Sequence, residues 1–359
     1  MNSEDLLKQA NLHFRRGRYN EAIASYEELI EASGESSEPG AQAQDVRGLF
    51  GKAFVLGQVG RYDEAIALYD EGIAREKDTS DPTLREQVAR ALLNKGYLLN
   101  QAGRLGDAMA SYEKAIEMAE KVIAAAGSAD ESPLRGGIGR ALSDKAFLLS
   151  KTGDWQRAIG TYDEAIARTD GDTVVARAFV NKGSLLAARG RFEESSATFD
   201  AAIARFSDAT EPAVREQVAR AFIGNGFALA ESGRVDSAMA TYRNAVARYK
   251  DSDEPLLQEQ AAHALVNVSF LLNRADRLGE AIATCDEVIA RYDGTREPGL
   301  REAVARAPSN KGFALGKAGR SKEAIETYSE IITRFNDAAE PGIRERVASA
   351  LRNRRTIQS

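Results

Sequence analysis

The sequence predicts an all-α protein built from eight consecutive helix pairs and a further single helix. Three observations lead to this prediction. A phrase of the type Gly-Arg-x-x-Glu-Ala-Ile recurs along the 359-residue chain, and apolar residues follow it at helical spacing. Seven of the 8 prolines stand at one point of the repeat. The composition, with 43% hydrophobic and 28% charged residues but only 7% aromatic ones, is typical of a folded helical protein.

The recurring phrase is anchored on a glycine or, once, on an aspartate. The anchors are Gly17, Gly60, Gly103, Gly153, Gly190, Gly233, Asp276 and Gly319. They lie 43 residues apart, except for one spacing of 50 that is followed by one of 37. Eight repeats are therefore predicted over residues 1–339, with an irregular centre at about 118–175. Residues 340–359 are predicted to form a capping helix, because Arg355 stands where other repeats place a small packing residue.

Each repeat contains two predicted helices. The helix after the anchor begins with acidic residues such as Asp63 and Glu64 and ends in an arginine such as Arg75, and both charges complement the helix dipole. A polar loop then leads to a proline, which fits the first turn of the next helix because its missing N–H costs nothing there. That second helix ends at the next anchor glycine, which is a suitable C-terminal stop.

Three packing positions recur with the anchor. Seven residues before it stand Ala10, Ala53, Gly96, Ala146, Gly183, Gly226, Ser269 and Gly312. Five residues after it stand Ala22, Ala65, Ala108, Ala158, Ser195, Ala238, Ala281 and Ala324. Nine residues after it stand Tyr26, Tyr69, Tyr112, Tyr162, Phe199, Tyr242, Cys285 and Tyr328. Small side chains allow two helices to approach closely, and the large one fills the remaining space.

This small–small–aromatic pattern resembles the tetratricopeptide repeat over essentially the whole chain. The family's usual unit has about 34 residues, and the longer unit of this chain is similar in length to that of the kinesin light chain array. The resemblance implies that the chain binds other proteins, and that the helix before each anchor lines a concave surface. We therefore predict a right-handed α-solenoid, a superhelix of eight tetratricopeptide-like helix pairs with a C-terminal capping helix.

A stripe of arginine, asparagine and aromatic residues runs along the helices before the anchors. Its members stand thirteen, nine and six residues before the anchor, and these offsets place them on one helix face. The candidate partner-binding residues are Arg47, Phe54, Arg90, Asn94, Tyr97, Arg140, Phe147, Arg177, Asn181, Arg220, Phe227, Asn267, Phe270, Arg306, Asn310 and Phe313. The small packing residues fall on roughly the opposite face, so the stripe is not the main packing stripe.

The stripe has the residue types of a peptide groove. Asparagine amides pair with an extended backbone, arginines bind carboxylates in a fork, and aromatic rings hold apolar anchors. The stripe is rich in arginine, whereas acids such as Glu21 and Glu280 gather on the other helix of each pair. We expect a basic concave face, and a scaffold that binds an extended acidic or carboxylate-ended peptide segment there.

Other interpretations stay open. Glu86, Glu216 and Glu302 lie four residues before stripe arginines, and such pairs simply stabilise a helix. The aromatics are also suited to filling seams between helices. A self-associating structural array is the alternative function. RNA binding by a helical-repeat array is the less favoured one, because the formal net charge is −6.

The sequence offers no catalytic or metal-binding constellation. It has 2 histidines, His13 and His263, in different repeats, and 1 cysteine, Cys285, which replaces a core tyrosine. We therefore expect a protein or peptide partner but no enzyme activity, cofactor or nucleic-acid partner. The single cysteine favours a cytoplasmic location. No apolar run is long enough for a membrane span or a signal peptide.

Two local features predict irregular helices. Pro308 stands ten residues into a predicted helix, so a kink or break is expected near Ala307. Glycines at 136, 137 and 139 weaken the helix that follows the long central spacing, so this helix is expected to fray or to start late. The added segment at about 124–131 is expected to be the least protected against hydrogen exchange.

Overall fold

The computed structural model of the protein describes residues 2–34, 40–76, 81–126, 134–169 and 171–358. Over these ranges it is all-helical. The helices are α1 (Ser3–Arg15), α2 (Tyr19–Gly34), α3 (Ala41–Gln58), α4 (Tyr62–Arg75), α5 (Pro82–Gln101), α6 (Leu105–Ala126), α7 (Leu134–Lys151), α8 (Trp155–Arg168), α9 (Asp172–Ala188), α10 (Phe192–Phe206), α11 (Pro212–Glu231), α12 (Val235–Tyr249), α13 (Pro255–Arg274), α14 (Leu278–Tyr292), α15 (Pro298–Lys317), α16 (Ser321–Phe335) and α17 (Pro341–Gln358). This repeated helical arrangement is that of an α-solenoid, as predicted. None of the described helices combines the length and the apolar character needed to cross a bilayer.

The chain forms two compact units, a first unit of Met1–Ala178 and a second unit of Phe179–Ser359. In the first unit α1, α3, α5 and α7 pack side by side, and in the second unit α11, α13, α15 and α17 do so. Among the described residues, no even-numbered helix packs against the next even-numbered helix of its unit. The odd-numbered helices are thus the closer row, and a helix-pair array curves toward its closer row. We use the name odd-helix face for the surface of the odd-numbered helices that points away from the even-numbered helices.

The predicted small-to-large packing is present in the core. A Cβ atom on Gly226 would lie 2.5 Å from the Tyr242 ring, and one on Gly312 would lie 2.7 Å from the Tyr328 ring. Both tyrosines are buried. The glycines therefore let each even-numbered helix place a ring directly against the preceding odd-numbered helix.

The anchors end the odd-numbered helices, as predicted. All seven anchor glycines have a positive φ, and Asp276 adopts the same left-handed conformation at φ 59°. The residue after the anchor donates its N–H to a carbonyl five residues earlier, as Arg61 does to Leu56 at 3.0 Å. This is the Schellman arrangement, which satisfies the last carbonyls of the helix.

Prolines begin several odd-numbered helices, at Pro82, Pro212, Pro255, Pro298 and Pro341. The two equivalent prolines at 39 and 133 lie outside the described residues. The expected break at Pro308 is absent, because α15 continues from Pro298 to Lys317 with Pro308 inside it. Buried packing of Val304, Ala307 and Pro308 holds this segment helical despite the missing N–H.

The centre of the chain differs from the prediction at its glycines. Helix α7 begins at Leu134 and runs through Gly137 and Gly139, so the expectation of a late start was wrong. A Cβ atom on Gly139 would lie 1.7 Å from the Oγ1 atom of the buried Thr169. Close approach, and not helix weakness, explains this glycine. The prediction of low hydrogen-exchange protection was made for residues 124–131, of which 127–131 lie outside the described ranges.

Ion pairs tie α3, α5, α7 and α15 to the even-numbered helix that precedes each of them. Lys52 pairs with Glu27 at 2.8 Å, and Lys311 pairs with Asp286 at 2.6 Å. Lys95 and Lys145 make the equivalent pairs with Asp70 and Glu113. The carboxylates are about half exposed, so each pair contributes at most about 1 kcal/mol.

Candidate functional site

The aromatic members of the stripe are exposed large side chains on the odd-numbered helices. Phe54, Tyr97, Phe147, Phe227, Phe270 and Phe313 are between 37% and 51% exposed. Part of their surface does lie in seams, since the Phe54 ring meets Phe14 at 5.4 Å and the Phe227 ring meets Phe192 at 6.3 Å. The rest of these side chains is exposed to solvent. Exposed rings in a row point to an interaction surface.

The asparagines of the stripe are engaged inside the protein. Asn310 Nδ2 donates to the Val266 carbonyl at 3.2 Å and to Ser269 Oγ at 2.9 Å. Asn267 Oδ1 accepts a hydrogen bond from Arg306 at 3.4 Å. Asn181 is half-buried on α9, whereas Asn94 is exposed. The engaged amides favour a structural role over the predicted pairing with a partner's backbone.

The position of these asparagines faces the large packing residue of the preceding repeat. Asn353, in the equivalent place on α17, donates to the Tyr328 hydroxyl at 3.4 Å. Glycine replaces asparagine at 51 and 224, where a Cβ atom would lie 2.3 Å from the ring of Tyr26 or Phe199. The residue type at this position therefore follows the packing ring that it meets.

The arginines of the stripe divide into two groups. Arg90 and Arg220 pair with Glu86 and Glu216 on their own helices, at 2.6 and 2.7 Å, as the structural interpretation expected. Arg177 instead donates to Asp144 on α7 at 3.1 Å. Arg140 is exposed, and Arg47 is half-buried on α3. In the first unit, and on α11, the positive charge of the stripe is thus partly neutralised.

Two cavities open on the odd-helix face of the second unit. The α11–α13 cavity has a volume of about 260 Å³, and its walls include Phe227, Tyr242, Phe270, Leu271, Arg274 and Arg306. The α15–α17 cavity has a volume of about 340 Å³, and its walls include Phe270, Arg274, Phe313, Lys317, Arg346 and Asn353. Phe270 and Arg274 belong to both cavities and separate them. The stripe residues that line these two cavities of the second unit are three phenylalanines, one arginine and two asparagines: Phe227, Phe270, Phe313, Arg306, Asn267 and Asn310.

The walls of these cavities are positively charged. Glu231 is the one acid that lines the α11–α13 cavity, and no carboxylate of the second unit's described residues lines the α15–α17 cavity. Burial, together with the nearby charge of Arg346, lowers the pKa of Arg306. The guanidinium groups of Arg306 and Arg346 influence each other's charge, and such a pair attracts an anion.

Sequence reasoning missed four of the basic and polar residues of this face. Arg274 and Lys317 stand four residues after Phe270 and Phe313, on the same side of their helices, and the Arg274 guanidinium lies 5.9 Å from the Phe270 ring centre. The i, i+4 spacing was a signal that could have found them. Arg346 and Asn353 lie on α17, where the repeat phrase is absent, so no anchor pointed to them.

Two observations on the described residues concern metal binding and the single thiol. They contain no group of three or more histidine, cysteine, aspartate and glutamate side chains that could hold a metal ion. Cys285 is buried in the packing position, and burial raises the pKa of its thiol to about 11. A thiol with such a pKa stays protonated at neutral pH and is a poor nucleophile.

Comparisons with known proteins agree with this geometry. Residues 44–121 match one family model described as tetratricopeptide repeat, and residues 7–53 and 144–210 match a second model with the same description. No curated protein sequence matches the chain. The apo form of RapI has a similar structure, with 11% identity and a TM-score of 0.58 over 99% of this chain and 98% of RapI.

Two further solved structures are less similar. BtubC (BKLC) from P. vanneervenii is 22% identical, with a TM-score of 0.49 over 65% of this chain and 93% of BtubC. A tetratricopeptide repeat protein from Parabacteroides merdae is 14% identical, with a TM-score of 0.49 over 86% of this chain and 99% of its own. From the matched residues, the repeated packing positions and the fold, we conclude that this chain belongs to the tetratricopeptide-repeat family.

Proposed function

We propose that this protein is an interaction scaffold that holds an extended, acidic or carboxylate-ended segment of a partner protein on the odd-helix face of its second unit. Tetratricopeptide repeats as a family support a role in protein–protein interaction. The observation that carries the finer proposal is the row of half-exposed phenylalanines, Phe227, Phe270 and Phe313, along two adjoining cavities with basic walls. Concave apolar sites with a few convergent charges are typical binding sites.

The positive charge of the α15–α17 cavity supports an acidic partner segment. Arg274, Lys317 and Arg346 line the α15–α17 cavity, and no acid among the described residues lines it with them. The chain as a whole has a net charge of −6, so this local positive charge runs against the composition. An acidic segment is attracted to such a face, and its association is faster at low salt.

The first prediction tests the face with a pair of matched variants. The probe is a fluorescein-labelled peptide rich in aspartate and glutamate that also carries leucine, in free-carboxylate and amidated forms. Phe270→Ala is expected to weaken binding of this peptide about tenfold, the usual loss for an anchoring ring. Leu256→Ala is the control, because Leu256 is 51% exposed on the same helix and lines neither cavity, whereas Phe270 is 50% exposed. Fluorescence anisotropy measures both.

The outcomes separate the alternatives. Equal binding by the Phe270→Ala and Leu256→Ala proteins contradicts the proposed face. Affinity that does not fall as sodium chloride is added contradicts the role of the basic walls. A large loss on amidation of the peptide assigns the carboxylate-ended form, and an equal affinity assigns internal acidic residues. Light scattering on the peptide-free protein reports self-association, the alternative function.

A further inference from the structure

The two cavities of the second unit differ in character. Most of the wall of the α11–α13 cavity is apolar surface, as from Phe227 and Leu271, and Glu231 accompanies its two arginines, Arg274 and Arg306. The α15–α17 cavity has two phenylalanine walls, but its rim carries Arg274, Lys317 and Arg346. Lys317 is steadied by an ion pair with Asp276 at 2.8 Å, and Asp276 lies outside the cavity wall. One cavity therefore fits an apolar side chain, and the other fits an acidic one.

The spacing of the cavities follows from the helices that form them. The first cavity lies where α11 meets α13, whereas the second is centred on α15, between α13 and α17. Packed helices lie about 8–10 Å apart, so the two centres, which are one and a half helix spacings apart, are separated by roughly 12–15 Å. An extended chain advances about 3.3 Å per residue. Because the side chains of an extended chain alternate between its two sides, side chains in the two cavities belong to residues about four positions apart.

We infer that the partner segment is recognised by two anchors, an apolar residue in the α11–α13 cavity and an acidic residue about four positions away in the α15–α17 cavity. This inference rests on the proposed function and adds the register of the segment. The wall shared by the cavities, Phe270 with the Arg274 guanidinium over its ring, lies beneath the residues between the anchors. The segment crosses the odd-numbered helices, because the cavities are arranged from one such helix to the next.

The inference is tested with a peptide series in which only the anchor spacing changes. Each peptide carries one leucine and one glutamate in a serine-rich background. The two residues are adjacent, three apart, four apart or eight apart. We expect the peptide with spacing four to bind at least about tenfold tighter than the others, since only it fills both cavities at once. Anisotropy with the full-length protein is the measurement.

Two variants assign the anchors to the cavities. Phe227→Ala is expected to weaken the leucine-containing peptides and to leave unchanged the binding of a peptide in which serine replaces the leucine. Lys317→Gln is expected to weaken binding of the glutamate-containing peptides and to leave unchanged the binding of a peptide in which serine replaces the glutamate. Tyr97→Ala is the matched control, because Tyr97 is 50% exposed at the equivalent repeat position in the first unit. Thermal unfolding followed by circular dichroism verifies that each variant is folded.

The results distinguish the inference from the function on which it rests. Binding of all peptides with one affinity, whatever the spacing, overturns the two-anchor register and leaves an acidic-segment scaffold. Coupling of Phe227→Ala to the glutamate, and of Lys317→Gln to the leucine, overturns the assignment of anchors to cavities. If no peptide of the series binds, the proposed function and the inference both fall.

Discussion

Replacement of Gly226 by leucine is expected to lower the free energy of unfolding of the second unit by about 3 kcal/mol, at the upper end of the usual cost of overpacking a core. A Cβ atom on Gly226 would lie 2.5 Å from the Tyr242 ring, which is 3% exposed, so a leucine there has to displace the ring that is packed between the two helices. Helix α11 would have to separate from α12. Urea unfolding followed by circular dichroism measures the change.

The control is Gly279→Leu, a glycine in the first turn of α14 in the same unit. No atom lies within 4 Å of a Cβ placed on Gly279, so the leucine there projects into open space. We expect a change within about 0.5 kcal/mol, as for most surface substitutions. Similar losses for the two variants would mean that the close approach of Tyr242 to α11 does not specify the packing.

Removal of α17, by ending the chain after Glu340, is expected to destabilise the second unit by about 4 kcal/mol, the burial energy of one isoleucine and one valine. Ile343, Val347 and Ala350 of α17 are buried against α15 and α16. Their loss exposes the apolar surface that they cover, so the shortened protein is expected to melt earlier and to associate in solution. Differential scanning calorimetry and light scattering measure the two effects.

A chain that ends after Ile357 is the control for this truncation, because it keeps all three buried residues of α17. It is expected to melt and to elute like the full chain. If the protein that ends after Glu340 behaves in the same way, α17 does not cap the array. The truncation also removes Arg346 and Asn353 from the α15–α17 cavity, so acidic peptides are expected to bind it more weakly.

The fold could be predicted in detail because each helix pair carries its own signals. The anchor glycines require a left-handed conformation, the prolines fit first turns, and the small residues meet large rings, and all three are local rules repeated along the chain. A break at Pro308 and a late start of α7 were predicted wrongly from the local rules for proline and glycine residues. Their local preference is weak for a helix, but tertiary packing outweighs it, as the contact of Gly139 with Thr169 shows.

Some patterns acquired a different explanation from the structure. The lysines that stand directly before a small packing residue pair with carboxylates of the preceding helix, as Lys311 does with Asp286. Gly299, in the first turn of α15, leaves room for the Glu259 carboxylate, since a Cβ atom there would lie 2.0 Å from its Cδ atom. Both features join one repeat to another, and a single repeat does not show which partner its residues meet.

The sequence alone determined the all-helical repeat and the face on which the aromatic stripe lies. It also determined where helices end at the anchors and begin at five described prolines. All of these follow from periodicity and backbone rules that act over a few residues. Only the tertiary structure decided which stripe residues remain free for a partner. It turned the amides of Asn267 and Asn310 inward, closed Arg90 and Arg220 onto their own glutamates, and joined Arg274, Lys317 and Arg346 around one cavity. Those contacts join residues about 40 positions apart or depend on the choice of rotamer, and both are set by the packing of neighbouring helices.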